Sequence, residues 1–223
     1  MTAPPRLTET MRAEGGAVAL LDLHLARLAR SADALGYALD ADAVRRAVEH
    51  AAVWAGRGGG EAAQIVRLTL GRGGDAEVET RPLDGRPLRL AWIDPEPLAE
   101  AGTALCQHKT TARAHYRARF DRALARGADE AVLVNAAGLV TEGTRTTVWA
   151  ERGGRLLTPP LAAGGLAGVF RAHVLATDPR AAEADLTPDD LRNADRVLLT
   201  NAARGWMPVR LLPAPPGDGR GTG

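Results

Sequence analysis

"QHKTTARAHY", residues 107–116, holds the only lysine of the chain, Lys109. Of the 28 Lys plus Arg residues, removing that one leaves 27 arginines. An Ala-, Arg- and Gly-rich composition reads as a codon bias that moves surface lysines to arginine, where a solvated cation of either kind serves. The lysine that stayed is therefore the informative one. Arginine keeps its proton near neutral pH, whereas a lysine amine loses it when burial or neighbouring charge lowers its pKa. Only the free amine attacks a carbonyl carbon to form a Schiff base. The stretch also anchors the reading of the fold. "TALCQH" reads as a short strand, and Ala112 to Arg126 as a helix ended by Gly127. Lys109 thus stands where a strand hands over to a helix, a place where the scaffold fixes the backbone and the side chain faces a cleft.

N-terminal to this point the spacing predicts a small α+β unit. Two short strands flank the turn Glu14-Gly15-Gly16, and a helix with Leu21, Leu25, Leu28, Ala32 and Leu35 on one face opens at Asp22 and closes at Gly36. A second helix, "DADAVRRAVEHAAVWAG", ends at Gly56, and "AAQIVRLTLGR", "AEVETRPL" and "LRLAWI" follow as strands. "DPEPLAEAGTAL" breaks the pattern and places a junction near residues 94–104. C-terminal to Lys109, "EAVLVN" and "RTTVWAE" read as strands around "AAGLVTEGT", and "RLLTPPL" as a strand stopped by prolines. "LAGVFRAHVLAT" and "TPDDLRNA" read as helices, and "RVLLTNAARGWMPVRLL" as a strand pair turning at Arg204-Gly205. The expected division is residues 1–100, a small N-terminal domain, and 101–212, a larger cofactor-binding domain, with 213–223 a disordered Pro/Gly-rich tail. Strands and helices mix without βαβ regularity, so the class is α+β.

Composition narrows the function. The formal net charge is +1 and aromatic content 4%, which leaves neither an electrostatic footprint nor stacking platforms for nucleic acid. No apolar run approaches the ~20 residues of a membrane helix, and "MTAPPRLTET" lacks the apolar core of a signal peptide. One cysteine, Cys106, permits no intrachain disulfide, so a reducing cytoplasm is expected. Strand alternation would put Cys106 and His108 on one face, opposite Lys109. With the other histidines scattered over separate helices, no metal site is expected.

Two more stretches carry chemistry. Glu142, read between a strand and Gly143, is either a surface turn acid or an anion that keeps a heterocyclic nitrogen protonated. "AAGGLAGVF" places Gly164 and Gly165 before the first turn of a helix, either as the common structural device of a Gly-rich helix start or as an end whose free N–H groups and dipole suit a phosphate. A Schiff-base lysine, a carboxylate for a pyridinium and a phosphate cup are together what pyridoxal 5'-phosphate requires.

The order HKTT, Tyr116, GADEAVLVNAAGLVTEGTRTTVW, LLTPPL, GGLAGVFR, together with LTETMRAEGG and HLARLARSADALG, resembles the class IV aminotransferases, the fold-type IV pyridoxal-phosphate enzymes, from about Leu7 to Leu211. The resemblance implies a two-domain, D-amino-acid-aminotransferase-like fold: a small N-terminal α/β domain and a larger, barrel-like C-terminal domain. It implies Lys109 as the residue that carries the cofactor, and Glu142 as the contact to its pyridine nitrogen. Arg27, the backbone at Leu166, Ala167 and Gly168, and Thr200, Asn201 and Ala202 would hold the phosphate. Tyr116 would reach the phenolic oxygen. Arg12 and Arg145 are candidates for a substrate carboxylate. Arg145-Thr146-Thr147 depart from the small residues and asparagine of many relatives. Within the family the opening resembles aminodeoxychorismate lyases, which release pyruvate from 4-amino-4-deoxychorismate and leave 4-aminobenzoate on the folate route. A branched-chain or D-amino-acid aminotransferase is the second reading, and a cofactor-free scaffold or synthase partner the third. The resemblance also implies a homodimer working with an aminodeoxychorismate synthase.

Overall fold

Leu7, Met11 and Ala13 recur at every second position, with Glu9 between the first two, so an extended chain puts all four on one face. In the computed structural model, which describes residues 4–57 and 62–213, they form the inward face of β1 (Leu7–Glu14). The strand turns through Gly15 and Gly16 into β2 (Ala17–Val18). It pairs on its other side with β3 (Gln64–Leu70), which pairs with β4 (Ala76–Pro82), all antiparallel, in the order β2-β1-β3-β4. Two helices cover the inward face: α1 (Leu21–Leu35) and α2 (Ala41–Gly56). The register of α1 matches its apolar stripe. Its N-cap is Leu20, in the left-handed region at φ 55°, with Asp22 in the first turn instead of at the cap, and Gly36 closes it at φ 69°. Asp40 caps α2 by accepting the Ala43 N–H at 2.9 Å. Leu7, Met11, Leu28, Val48, Val66, Leu68 and Leu70 fill the space between sheet and helices.

The second sheet has eight strands in the order β10-β9-β8-β11-β12-β5-β6-β7. They are β5 (Leu90–Ile93), β6 (Glu130–Val134), β7 (Val140–Gly143), β8 (Thr147–Arg152), β9 (Arg155–Thr158), β10 (Ala181–Glu183), β11 (Arg196–Asn201) and β12 (Gly205–Leu211). The edge strand β7 reaches β8, third from the opposite edge, through the tight turn 144–146, so the sheet curls into a half-barrel. Ala91, Val132, Val148, Val197, Leu199 and Met207 pack inside the curl. The protein is therefore α+β with a curled barrel-like sheet.

Several boundaries differ from the sequence reading. β5 pairs in parallel with β6 and with β12, so the hand-over between sheets falls in residues 83–89, ahead of the expected junction at 94–104. The partners that decide where β5 belongs lie 40 and 120 residues away, beyond local pattern. Residues 104–107 form a short helix, α3 (Ala104–Gln107), not a strand. α4 (Ala114–Ala125) follows, so β5–α3–α4–β6 makes one parallel crossover that periodicity did not suggest. "AAGLVTEGT" contains β7, α5 spans Val169–Thr177, and α6 spans Pro188–Arg192. The expected disordered tail falls, from residue 214 on, outside the described residues.

Candidate active site

Lys109 is placed by its backbone. After α3 the chain runs extended beside the start of β1: Thr8 N–H donates to the Lys109 carbonyl at 2.9 Å, Thr111 N–H to the Arg6 carbonyl at 2.9 Å, and Leu7 bridges Thr110. The segment acts as a short extra strand on the small sheet. Its side chain enters a cavity of about 290 Å³ between the two sheets. Cys106 and His108 do not share a face. Cys106 is buried against Tyr116, whereas His108 Nδ1 lies 3.0 Å from Ser31 Oγ.

The cavity also admits Arg27, Glu142, Arg145, Leu166, Gly168, Thr200, Asn201 and Ala202, so eight of the expected positions join Lys109 on one wall-to-wall surface. Burial, then the neighbouring Arg113 and Arg27 guanidinia, pull the Lys109 amine down to about 7, outweighing the opposite pull of Glu9 and Glu142. Burial pushes the Glu142 carboxyl up to about 7, against a hydrogen bond from Tyr116 and one from the Leu166 N–H. Each group is thus poised near neutrality, where a proton can be held or released.

Three expected residues are placed differently. Tyr116 does not line the cavity. It is 3% exposed, and its hydroxyl donates to Glu142 Oε1, one step behind the surface that a cofactor would meet. Ala167 offers its carbonyl to Arg27 Nη1 at 3.1 Å and lies outside the lining. Arg12 pairs with Glu14 at 2.9 Å at the far end of β1 and does not reach the cavity. Arg12 shares a face of β1 with Thr10, which lines the cavity, but it stands two residues further along the strand, and only the tertiary position of the cavity shows which end matters.

The chemistry of the wall fits pyridoxal phosphate. Arg27 lies beside Gly168, the N-cap of α5, where a helix N-terminus opens toward the cavity. A Cβ at Gly168 would come within 2.7 Å of Thr147 Oγ1, so any side chain there would have to displace the Thr147 hydroxyl. At Gly165 a Cβ would come within 3.1 Å of the Thr141 carbonyl and 3.4 Å of Glu142 Cβ, so the glycine lets the loop lie against the carboxylate-bearing strand. Opposite, Asn201 Oδ1 accepts the Ala203 and Arg204 N–H groups at 3.2 and 2.9 Å and shapes the turn that follows β11. Thr200 Oγ1 accepts the Trp149 indole N–H at 2.9 Å, leaving its own hydroxyl proton to donate.

Sequence reasoning missed three further cations of the lining: Arg81 at the end of β4, Arg113, and Arg204. Arg113 donates to the Thr144 carbonyl and stacks 4.3 Å from the Tyr116 ring centre. Arg204 clasps Asp84 and donates to the Arg86 carbonyl at 2.8 Å, tying the turn after β11 to the inter-sheet linker. Arg145 lies with Nε 3.6 Å from the buried Glu130 carboxylate. A single arginine in an arginine-rich chain carries no local signal of such a role.

The family model for class IV amino-transferases matches residues 6–212. A Schizosaccharomyces pombe protein provisionally named an aminodeoxychorismate lyase is 32% identical over 202 residues, covering 85% of this chain and 82% of its own. A provisionally named amino-acid aminotransferase structure from Mesorhizobium loti superposes with TM-score 0.82 at 36% identity, over 94% of this chain and all of its own. A hypothetical aminotransferase from Mycobacterium tuberculosis, in a PLP-bound form, gives TM-score 0.82 at 26% identity over 95% of this chain and 84% of its own. The chain belongs to the class IV aminotransferases, and is a pyridoxal-phosphate enzyme of fold type IV.

Proposed function

We propose that this class IV enzyme is an aminodeoxychorismate lyase, which releases pyruvate from 4-amino-4-deoxychorismate and leaves 4-aminobenzoate. The observation that carries the reading is the cationic lining of the cavity: Lys109 and five arginines, of which Arg27, Arg145 and Arg204 sit against Glu9, Glu130 and Asp84, while Arg81 and Arg113 have no carboxylate partner among the described residues. One phosphate uses part of that excess. The remainder suits a substrate with two carboxylates, as 4-amino-4-deoxychorismate has, better than one with a branched apolar side chain. The name of the fission-yeast relative points the same way.

In this reading bound pyridoxal phosphate supplies the aldehyde that takes the substrate amine and a ring that accepts electrons. Arg27, the backbone at Leu166–Gly168 and the turn Thr200–Ala202 hold its phosphate, and Lys109 binds its aldehyde. Glu142 keeps the pyridine nitrogen protonated, and Tyr116 steadies that carboxylate from behind. Arg81 and Arg145 orient substrate carboxylates at the cavity wall. Lys109, free of the aldehyde once the substrate amine has taken its place and neutral above about 7, removes the ring proton of the bound substrate; breaking the bond to the enolpyruvyl oxygen makes the ring aromatic, and a proton returned to the departing group gives pyruvate. The enzyme acts in the cytoplasm as a homodimer, on substrate supplied by a separate aminodeoxychorismate synthase.

The test generates 4-amino-4-deoxychorismate in situ and follows both products. Stoichiometric pyruvate and 4-aminobenzoate support the lyase. Amino-group exchange between amino acids and keto acids, without 4-aminobenzoate, establishes the aminotransferase reading that the Mesorhizobium neighbour favours.

A further inference from the structure

We propose that Glu9 is the positioning residue of the phosphate site: it fixes the guanidinium of Arg27 so that its remaining N–H groups face the cavity. The proposal rests on Arg27 being a phosphate ligand, as argued above.

Glu9 occupies an inward position of β1 between Leu7 and Met11, where the alternation calls for an apolar side chain, and it is 1% exposed. A carboxylate taken out of water there is costly unless its charge and lone pairs are met. They are met by two residues one helical turn apart on α1. Arg27 donates through Nε to Oε1 at 2.8 Å and through Nη2 to Oε2 at 2.5 Å, a bidentate grip that stops rotation of the guanidinium plane. His24 Nδ1 lies 2.6 Å from Oε2 and clamps the carboxylate from the other side. Arg27 Nη1 donates to the Ala167 carbonyl at 3.1 Å. Three of the five guanidinium N–H bonds are thus spent on orientation, and two have no partner among the described residues, on a side chain that lines the cavity beside Gly168. The neighbouring residue on the same strand, Thr8, holds the Lys109 carbonyl. One strand therefore sets both the lysine and the arginine, and the distance between aldehyde and phosphate anchors is fixed by adjacent residues of β1.

A different role for Glu9 predicts the opposite sign. If it only neutralised Arg27, deleting its charge would raise the positive potential of the cavity and tighten phosphate binding. If it aims Arg27, deleting it frees the guanidinium to turn, and phosphate binding weakens.

The experiment measures equilibrium binding of pyridoxal phosphate and of pyridoxal, which lacks the phosphate, to the full-length apo chain and its variants by absorbance. Glu9→Gln is expected to weaken pyridoxal phosphate about tenfold or more while pyridoxal changes less than about twofold, as follows when a charge-assisted pair that aims a ligand is lost. Arg27→Gln is expected to show the same selective loss. Glu9→Asp, too short to span the pair, is expected to fall between. Unchanged or tighter pyridoxal phosphate binding by Glu9→Gln, or equal weakening of both ligands, overturns the proposal. If Arg27→Gln is not phosphate-selective, the assignment of Arg27 fails and the proposal with it, leaving the lyase assay untouched. Should Glu9→Gln not fold, His24→Leu carries the test. It keeps the volume, removes one clamp on the carboxylate and also removes ring nitrogen Nε2, which is buried without a partner among the described residues. A smaller, phosphate-selective loss supports the proposal; no loss, or an equal loss for both ligands, contradicts it.

Discussion

Lys109 owes its reactivity to where its backbone is pinned. The Thr8–Lys109 hydrogen bond sets the amine among Arg27 and Arg113, and burial with those two cations lowers its pKa to about 7. Below that value most of the amine is protonated and cannot attack. The rate at which the apo chain captures pyridoxal phosphate is therefore expected to rise about tenfold per pH unit up to roughly 7 and then level off, read by stopped-flow absorbance. A rise that continues to pH 10 would mean an ordinary solvated lysine. Tyr116 makes a second test at this scale. Its buried phenol donates to Glu142, and burial, then the Glu142 charge, push its own pKa well up, so it stays a donor. Tyr116→Phe removes one partner of a buried carboxylate that is already raised to about 7, and the Glu142 pKa should rise further. The acidic limb of the pH profile, where Glu142 gains its proton and no longer holds the pyridinium, should shift upward, while cofactor affinity changes little. Lys109 was legible in the sequence because it is the sole lysine. Glu142 was legible only through the motif around it, since an acid near a glycine is commonplace.

At the scale of elements, the site depends on places where backbone meets backbone. Gly164 has φ 107°, and a Cβ there would lie 2.5 Å from the Gly102 nitrogen, whose N–H donates to the Gly164 carbonyl at 3.0 Å. Gly164→Ala meets both a left-handed backbone and a clash that no side chain can relieve. It is expected to cost about 1–3 kcal/mol of stability, measured by denaturant unfolding, and to disturb the loop that brings Leu166 and Gly168 to the cavity. A loss within error would show that the 101–102 loop yields. The glycine pair was readable as a helix entrance. Its contact with residues 101–102 was not, because that partner comes from a segment 60 residues away. The same limit explains β5: four apolar residues look alike in either sheet, and only the pairing with β6 and β12 decides. Glu9 did leave a trace, an acid in phase with Leu7, Met11 and Ala13, but only the structure supplies its partners on α1.

Across the whole molecule, the small unit of β1–β4, α1 and α2 supplies Arg27, Arg81 and the strand that pins Lys109, the curled sheet supplies Glu142 and Thr200, and the start of α5 supplies Gly168. Glu9 joins the two halves through Arg27 and the Ala167 carbonyl. Burial raises its pKa, but the Arg27 charge and the hydrogen bonds from His24 and Arg27 outweigh that and hold it at about 2. A carboxylate depressed in the folded state stabilises it above its unfolded value, 4.5, and that stability is lost as pH falls toward about 2. Acid unfolding of the wild type should therefore contain a component in this window, on the order of 3 kcal/mol, that Glu9→Gln lacks. Parallel acid titrations of the two proteins would expose identical curves if Glu9 plays no part.

Borohydride reduction of the pyridoxal-phosphate-loaded protein, followed by peptide mapping, tests the assignment of Lys109 most directly. The account predicts one labelled residue, Lys109, and no label in Lys109→Arg, even though that variant keeps the positive charge. Label confined to the N-terminal amine, or label that survives the substitution, would contradict it.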